Sequence, residues 1–298
     1  MNTEAFRLDV RQARRAFGRA ARAGKDSAVL QREVEGRMLD RLDYIRVQPA
    51  RILDVGCGAG RGLASLGRRF PNAELFGVDF ARPALGAARR SESRIARAWR
   101  SLAGPALTYV CADFSHLPFR SGSAAMVWSN LALAWAADAL SALREIHRVL
   151  SPGGFLMFST YGPDTLKELK AAFAVASGMS HVHSFVDMHD LGDMLVASGF
   201  AAPVMDMETL TLTYADATAL VGDLRASGQT CAAVGRRHGL MGRGVWSRML
   251  ESYESRRSQG RLAATIEVLY GHAWKGEPRV EAEGRRVVKI EMRTKIQR

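Results

Sequence analysis

Arg51-Ile-Leu-Asp-Val-Gly-Cys-Gly-Ala-Gly60 decides the fold. Ile52, Leu53 and Val55 form a short apolar run of the kind that makes a buried strand, and it runs into glycines at alternate positions, Gly56, Gly58 and Gly60. A helix-like segment over residues 63–70 follows at once. Glycine lets the chain turn sharply there and lets a ligand lie against bare backbone, where a Cβ would collide. The helix that follows offers its unpaired N–H groups to that ligand. The dinucleotide fingerprint GxGxxG needs a third glycine at position 61, and the chain has Arg61. The ligand is therefore of another class.

Downstream of residue 51 strand-like and helix-like segments alternate, the signature of a doubly wound α/β sheet. The patterns predict strands over 52–55, 74–79, 107–111, 125–130 and 155–160, with helices over 62–70, 83–97 and 139–150 between them. Ser151-Pro-Gly-Gly154 reads as a helix stop that turns into the next strand. Beyond Gly162 the rhythm changes, to helices over 166–177, 187–198, 217–226 and 245–257 and strands over 204–214 and 264–274. The expected fold is a mostly parallel, seven-stranded, Rossmann-like sheet with N-terminal helices and a helical cap insertion. Residues 1–46 read as a helical lid broken at Gly24, residues 47–275 as the main domain with its insertion near 163–200, and residues 276–298 as a charged tail with a possible strand at 286–292.

The 298 residues, 47% hydrophobic and 24% charged, suit a soluble globular protein with a sizeable core. No apolar run approaches the roughly 20 residues of a membrane span, so no membrane partner is expected. The segment 5–25 is rich in Arg and Ala, but Glu4, Asp9 and Asp26 argue against an organellar presequence, and a cytoplasmic location is expected. The net charge of +12 points to an acidic partner or to a solubilising surface. Basic blocks with interleaved aromatics are absent, and no nucleic-acid partner is expected. Cys57, Cys111 and Cys231 lack metal-like spacing, and His181, His183 and His189 lack partner acids, so these histidines read as surface residues and no metal is expected.

Asp54-x-Gly-x-Gly-x-Gly60 resembles the first motif of class I S-adenosylmethionine methyltransferases. Each group of that cofactor has a partner in the sequence. Asp54 and the glycine loop suit its amino-acid end. Asp79, closing the second strand and followed by Phe80, can accept both ribose hydroxyls. Asp113 can accept from the adenine amino group, with Phe114 covering the ring, and Asn130 ends the fourth strand above the methyl position. These acids and Asn130 all fall at C-terminal ends of predicted strands, where open α/β sheets bind ligands.

Longer segments are more specific. Arg15-Ala-Phe-Gly-Arg-Ala-Ala21, Trp128-Ser-Asn-Leu-Ala132 with Trp135, Phe158-Ser-Thr-Tyr-Gly-Pro-Asp164, Val186-Asp-Met-His-Asp190, Asp223-Leu-Arg-Ala226 and Tyr270-Gly-His-Ala-Trp274 resemble the malonyl-[acyl-carrier-protein] O-methyltransferases of biotin synthesis. The family pattern puts an aromatic residue over the cofactor near position 24, where this chain has Gly24, and an Asn-like residue where it has Cys231.

The resemblance implies methyl transfer from S-adenosylmethionine to the free carboxylate of malonyl-acyl-carrier protein or malonyl-CoA. A carboxylate is already ionised near neutral pH, so the acceptor needs positioning and no general base. Arg144 and Arg225 are the candidates to hold it, with Asn130, Trp135 and Tyr161 lining its pocket. Arg236, Arg237, Arg243, Arg256 and Arg257 are candidates for a basic rim that docks an acidic carrier. Two alternatives share the scaffold: an assembly factor or hydroxylase with a methyltransferase fold, and a methyltransferase acting on another small molecule or on RNA.

Overall fold

The computed structural model describes residues 7–24, 28–92, 105–177, 181–236 and 239–276. Its strands are β1 (Arg51–Val55), β2 (Glu74–Asp79), β3 (Leu107–Cys111), β4 (Ala124–Ser129), β5 (Leu150–Tyr161), β6 (Phe200–Tyr214) and β7 (Leu262–Lys275). They form one sheet in the order β3-β2-β1-β4-β5-β7-β6. The first five pair in parallel, and β7 runs antiparallel between β5 and β6. This is the doubly wound class I methyltransferase arrangement that the sequence implies.

Central parallel strands are covered on both faces, which is why they read as unbroken apolar runs. Alternate residues serve opposite layers. Met126 and Trp128 of β4 join Phe155 and Met157 of β5 in one core with α2 (Val29–Leu42), α3 (Arg61–Arg69), α6 (Lys167–Ala176), α8 (Ala217–Ala226) and α9 (Arg243–Glu254). Val127, Leu156 and Phe158 face the other core with α5 (Ala139–Val149) and α7 (Met188–Ala197). The edge strands are the exceptions: β3 has no buried residue, and β6 alternates between half-buried and exposed positions along most of its length.

Side-chain caps fix several helix starts. Asp9 accepts from Gln12 N at the head of α1 (Val10–Ala23), and Asp138, Asp187 and Asp216 cap α5, α7 and α8 in the same way. Gly24 ends α1 in the left-handed conformation (φ 63°), so the break expected there is a helix C-cap. α4 (Arg82–Ser91) carries its proline in the first turn and ends at Ser91 with Glu92 extended, short of the helix expected over 83–97, whose residues 93–97 lie outside the described residues. The expected strand at 286–292 also lies outside them.

Ser151-Pro-Gly-Gly154 departs from expectation. β5 already begins at Leu150, which pairs with Ala124, and pairing resumes at Phe155 with Met126. The four residues are therefore an irregular bulge inside the strand, because Pro lacks an N–H for the ladder and Gly153 adopts φ 69°. α6 and α7 occupy the predicted insertion between β5 and β6.

Candidate functional site

Parallel pairing brings the C-terminal ends of β1, β2, β3 and β4 to one edge of the sheet. A cavity of about 250 Å³ opens there. Asp54, Gly56, Gly58, Asp79, Phe80, Asp113, Phe114 and Asn130 all line it, and Gly60 does not. A Cβ on Gly60 would sit 3.0 Å from the Ala88 methyl, so that glycine serves packing against α4.

The floor of the cavity is acidic, and Arg32 and Arg61 also line it. Asp54 is 3% exposed and Asp79 is 7% exposed, and Glu35 of α2 is buried beside them. Burial, then the charges of Glu35 and Asp79, push the Asp54 carboxyl well above the ordinary range. Asp79 accepts from Gly58 N at 2.9 Å and Ala81 N at 2.7 Å, pinning the glycine loop and the start of α4. Burial nevertheless outweighs those two bonds and raises its pKa to about 6. Cys57, buried between these acids, has its thiol pushed well up, first by burial and then by Asp54 and Asp79. It is no nucleophile. Among the described residues no Lys or Arg forms an ion pair with Glu35, Asp54 or Asp79.

Asp113 spends Oδ1 on the amide and hydroxyl of Ser115, leaving Oδ2 with Arg14 at 4.0 Å. Asn130 departs from a purely ligand-facing role. Its Nδ2 donates to Gln31 O of α2 and its Oδ1 accepts from Ser159, each at 2.9 Å, so it ties α2 to β5. The next residue, Leu131, is held at φ 52° by bonds from its N–H to Ser159.

Phe17 was not singled out from the sequence as a site residue. It comes from α1, lines the cavity, and lies edge-on to Trp135 at 4.9 Å and tilted against Phe80 at 5.9 Å. Its signal is a lone aromatic in an Ala- and Gly-rich stripe, Ala13, Ala16, Gly18, Ala20. Position 24, where an aromatic cover is expected, is an exposed helix cap, and the aromatic that α1 brings to the cavity is Phe17, about two helix turns upstream.

A second cavity, about 190 Å³, adjoins the first, and Trp135 and Gln229 line both. Tyr161 and Arg225 line the second. Arg144 lines neither. It is exposed on α5, because that helix buries Ala142, Leu143, Ile146 and Val149 and turns position 144 to solvent. Two of the expected rim arginines are committed elsewhere: Arg236 is 15% exposed and paired with Asp9 at 2.9 Å, and Arg257 pairs with Glu254. Arg237 lies outside the described residues, and Arg243 and Arg256 are exposed. Among the histidines, His189 is exposed, His181 is half-buried and stacked on Phe173, and His183 is buried, against its expected place on the surface. No group of three metal-ligating side chains occurs among the described residues. Among them also, no helix is long and apolar enough to cross a membrane.

The sequence matches the methyltransferase domain family over residues 53–158. It is 50% identical over 291 residues to the malonyl-[acyl-carrier protein] O-methyltransferase of Gallionella capsiferriformans, covering 97% of this chain and 99% of that one. The chain belongs to the malonyl-[acyl-carrier protein] O-methyltransferase family. The family member of the same name from Laribacter hongkongensis is 51% identical over 92% of both chains. Among solved structures, the YcgJ protein of Bacillus subtilis shares the fold at a TM-score of 0.55 and 16% identity, covering 83% of this chain and all of that one.

The cofactor of this family member is S-adenosylmethionine, and the cavity fits it. That molecule carries a sulfonium and an ammonium, and the buried carboxyls of Glu35, Asp54 and Asp79, which form no ion pair among the described residues, suit that charge. Binding a cation favours the ionised carboxyls, so it should release protons where Asp79 is part-protonated. Calorimetric titrations at pH 6 in two buffers of different ionisation enthalpy should differ in apparent heat by a fraction of a proton per site. The ligand's own amine is fully charged at that pH, given an α-amino pKa near 8, and adds nothing. Near pH 8 the Asp79 contribution should vanish. A buffer-independent heat at pH 6 would contradict the acidic-floor account.

Proposed function

We propose that this chain transfers the methyl group of S-adenosylmethionine to the free carboxylate of malonyl-acyl-carrier protein, giving its methyl ester early in biotin synthesis. The observation that carries this reading is the 50% identity to a malonyl-[acyl-carrier protein] O-methyltransferase across 97% of the chain. When bound, the cofactor supplies an electrophilic methyl on sulfur. The chain's own task is to bind, orient and exclude water. Neither cavity has to supply a base, because the acceptor carboxylate is ionised at neutral pH.

In this reading Asp79 accepts from the ribose hydroxyls and Asp113 from the adenine amino group through its less committed oxygen. Phe80 and Phe114 flank the ring. Asp54 and the backbone of Gly56 and Gly58 take the amino-acid end, while Phe17 and Trp135 close the site from the side of α1. Tyr161, Trp135 and Arg225 receive the acceptor in the second cavity, with Arg225, exposed on α8, at its outer wall. The N-terminal helices act as a lid. The acidic carrier docks on the arginine face of α1, where Arg11, Arg15, Arg19 and Arg22 are exposed, and that field speeds encounter in a salt-sensitive way.

Mass spectrometry of malonyl-acyl-carrier protein after incubation with the protein and S-adenosylmethionine tests the reading. The expected result is a gain of one methyl that mild base removes as an ester. An unchanged carrier mass, with cofactor binding intact, would leave the fold standing and remove the substrate.

A further inference from the structure

His183 lies on the segment between α6 and α7 and is 4% exposed. Its ring stands edge-on to Trp135 at 4.8 Å and is stacked with Phe185 at 5.9 Å. Nε2 lies 2.8 Å from Ala232 N and 3.3 Å from the Thr230 carbonyl oxygen; the amide can only donate and its contact is the shorter, so Nε2 is the acceptor. A ring nitrogen that accepts from a backbone amide holds no proton, so the neutral ring carries its hydrogen on Nδ1. That Nδ1 is buried and has no hydrogen-bond partner among the described residues. Burial, then the charge of Lys170, lowers the pKa of His183 to about 4, so the ring stays neutral and the Nδ1–H stays a donor at physiological pH.

Two further buried hydroxyls lie in the same wall. That of Tyr161 faces only the side chain of Gln229, which also lines the cavity, and that of Thr230 has no hydrogen-bond partner among the described residues. Burial pushes the Tyr161 phenol upward, so it too remains protonated. His183, Tyr161 and Thr230 all line the second cavity, whose other walls are largely apolar, including Leu169, Phe173 and Trp246. Leaving polar groups buried without partners costs stability, and a chain tolerates them where a ligand completes them. The two cavities also differ in their acids. The first is lined by Glu35, Asp54, Asp79 and Asp113, whereas no Asp or Glu lines the second. A donor-rich, acid-free cavity suits an acceptor-rich group such as a carboxylate or a thioester carbonyl.

We propose that His183 is a substrate-binding residue whose Nδ1–H, together with the hydroxyls of Tyr161 and Thr230, holds the acyl end of the methyl acceptor in the second cavity, against Trp135. The proposal rests on the methyl-transfer reading above and adds to it the group that fixes the acceptor.

His183 also holds the Ala232 amide, so a structural role has to be separated from a binding role. Gln places an acceptor near the position of Nε2 and removes the Nδ1 donor; Asn keeps a donor near Nδ1 and removes the distal acceptor. With malonyl-acyl-carrier protein as acceptor, H183Q should lose about 10- to 100-fold in kcat/KM, as expected for a lost bond to a charged group. Its Tm and S-adenosylmethionine affinity should stay near wild type. H183N should keep kcat/KM within about 5-fold while its Tm falls, because the Ala232 amide loses its partner. The reverse ranking, or an H183Q enzyme as active as wild type, overturns the proposal. A wild-type protein that transfers no methyl to the carrier overturns the functional reading itself, and the proposal with it.

Discussion

Replacing Asp79 with alanine should weaken S-adenosylmethionine binding by about 10- to 150-fold, the equivalent of roughly 1.5–3 kcal/mol for charge-assisted hydrogen bonds to two hydroxyls. The same carboxylate also holds Gly58 N and Ala81 N, so a skeptic would attribute any loss to a disordered loop. The pH dependence of stability separates the two explanations. Folding raises the Asp79 pKa from 3.8 to about 6, because burial outweighs the two backbone bonds that favour the carboxylate. A carboxyl with a raised folded-state pKa contributes stability below its unfolded pKa, and that stability is lost as pH rises through the folded value. Without cofactor, the wild-type protein should therefore lose stability between about pH 4 and pH 6–7 through this group. At 1.36 kcal/mol per pH unit the loss comes to about 3 kcal/mol at neutral pH. Asp79→Asn cannot ionise, but it keeps only one of the two oxygens that take Gly58 N and Ala81 N, a loss of about 1 kcal/mol. At pH 7 and without cofactor the relief of the buried charge outweighs that loss, so its Tm should equal or exceed that of wild type, and below pH 4 the advantage should disappear. Thermal melts across pH 4–8, beside calorimetric affinities for both variants, check this. Weak binding together with a collapsed Tm in D79N would mean that the residue is a loop strut.

The sheet was legible because its strands state their burial in their composition. β2 and β3 have the bounds read from the sequence: β2 is a largely buried parallel strand, and β3, on the edge, is still a β-branched and aromatic run cut off by turn residues. The extension of β5 back to Leu150 was hidden by Pro152, Gly153 and Gly154, which spell a turn locally but are carried through as a bulge by pairing on both sides. The acids at the strand ends were equally readable, because a strand of known direction places its last residue at the ligand edge. Phe17 was harder. It reaches the cavity only because α1 packs on α4, with Gly18 against Pro83, a contact no local pattern announces. His183 belongs to no helix or strand, and its burial is made by Trp135, Phe185 and the backbone at Ala232, all distant or irregular. Arg144 was readable after all: the stripe Ala142, Leu143, Ile146, Val149 puts it on the opposite face of its helix.

Gly56→Ala should be the most damaging small substitution in the glycine loop. The residue sits at φ 84°, a conformation that costs an L-residue about 1–2 kcal/mol. A Cβ there would also lie 2.1 Å from the Ala132 methyl. Ala132 cannot retreat easily. Its neighbour Leu131 is held in the left-handed region by Ser159, and Asn130 is fixed between Ser159 and Gln31. Collision and conformation together should cost about 3 kcal/mol or more, lowering Tm by roughly 6 °C or more, with cofactor affinity falling because the displaced loop forms the cavity wall. Gly58 gives the control: it is also at positive φ (53°), but a Cβ there would meet nothing within 4 Å, so Gly58→Ala should bear only the conformational cost, about 1–2 kcal/mol. The double variant Gly56→Ala with Ala132→Gly removes the colliding methyl and leaves the Ala132 Cα at an ordinary 3.6 Å. It should recover the collision part of the loss and end near Gly58→Ala in Tm, a non-additivity that a double-mutant cycle reads directly. If the two Gly56 variants melt together, backbone conformation alone explains the glycine, and the close approach of the β1 loop to the segment after β4 is irrelevant to it.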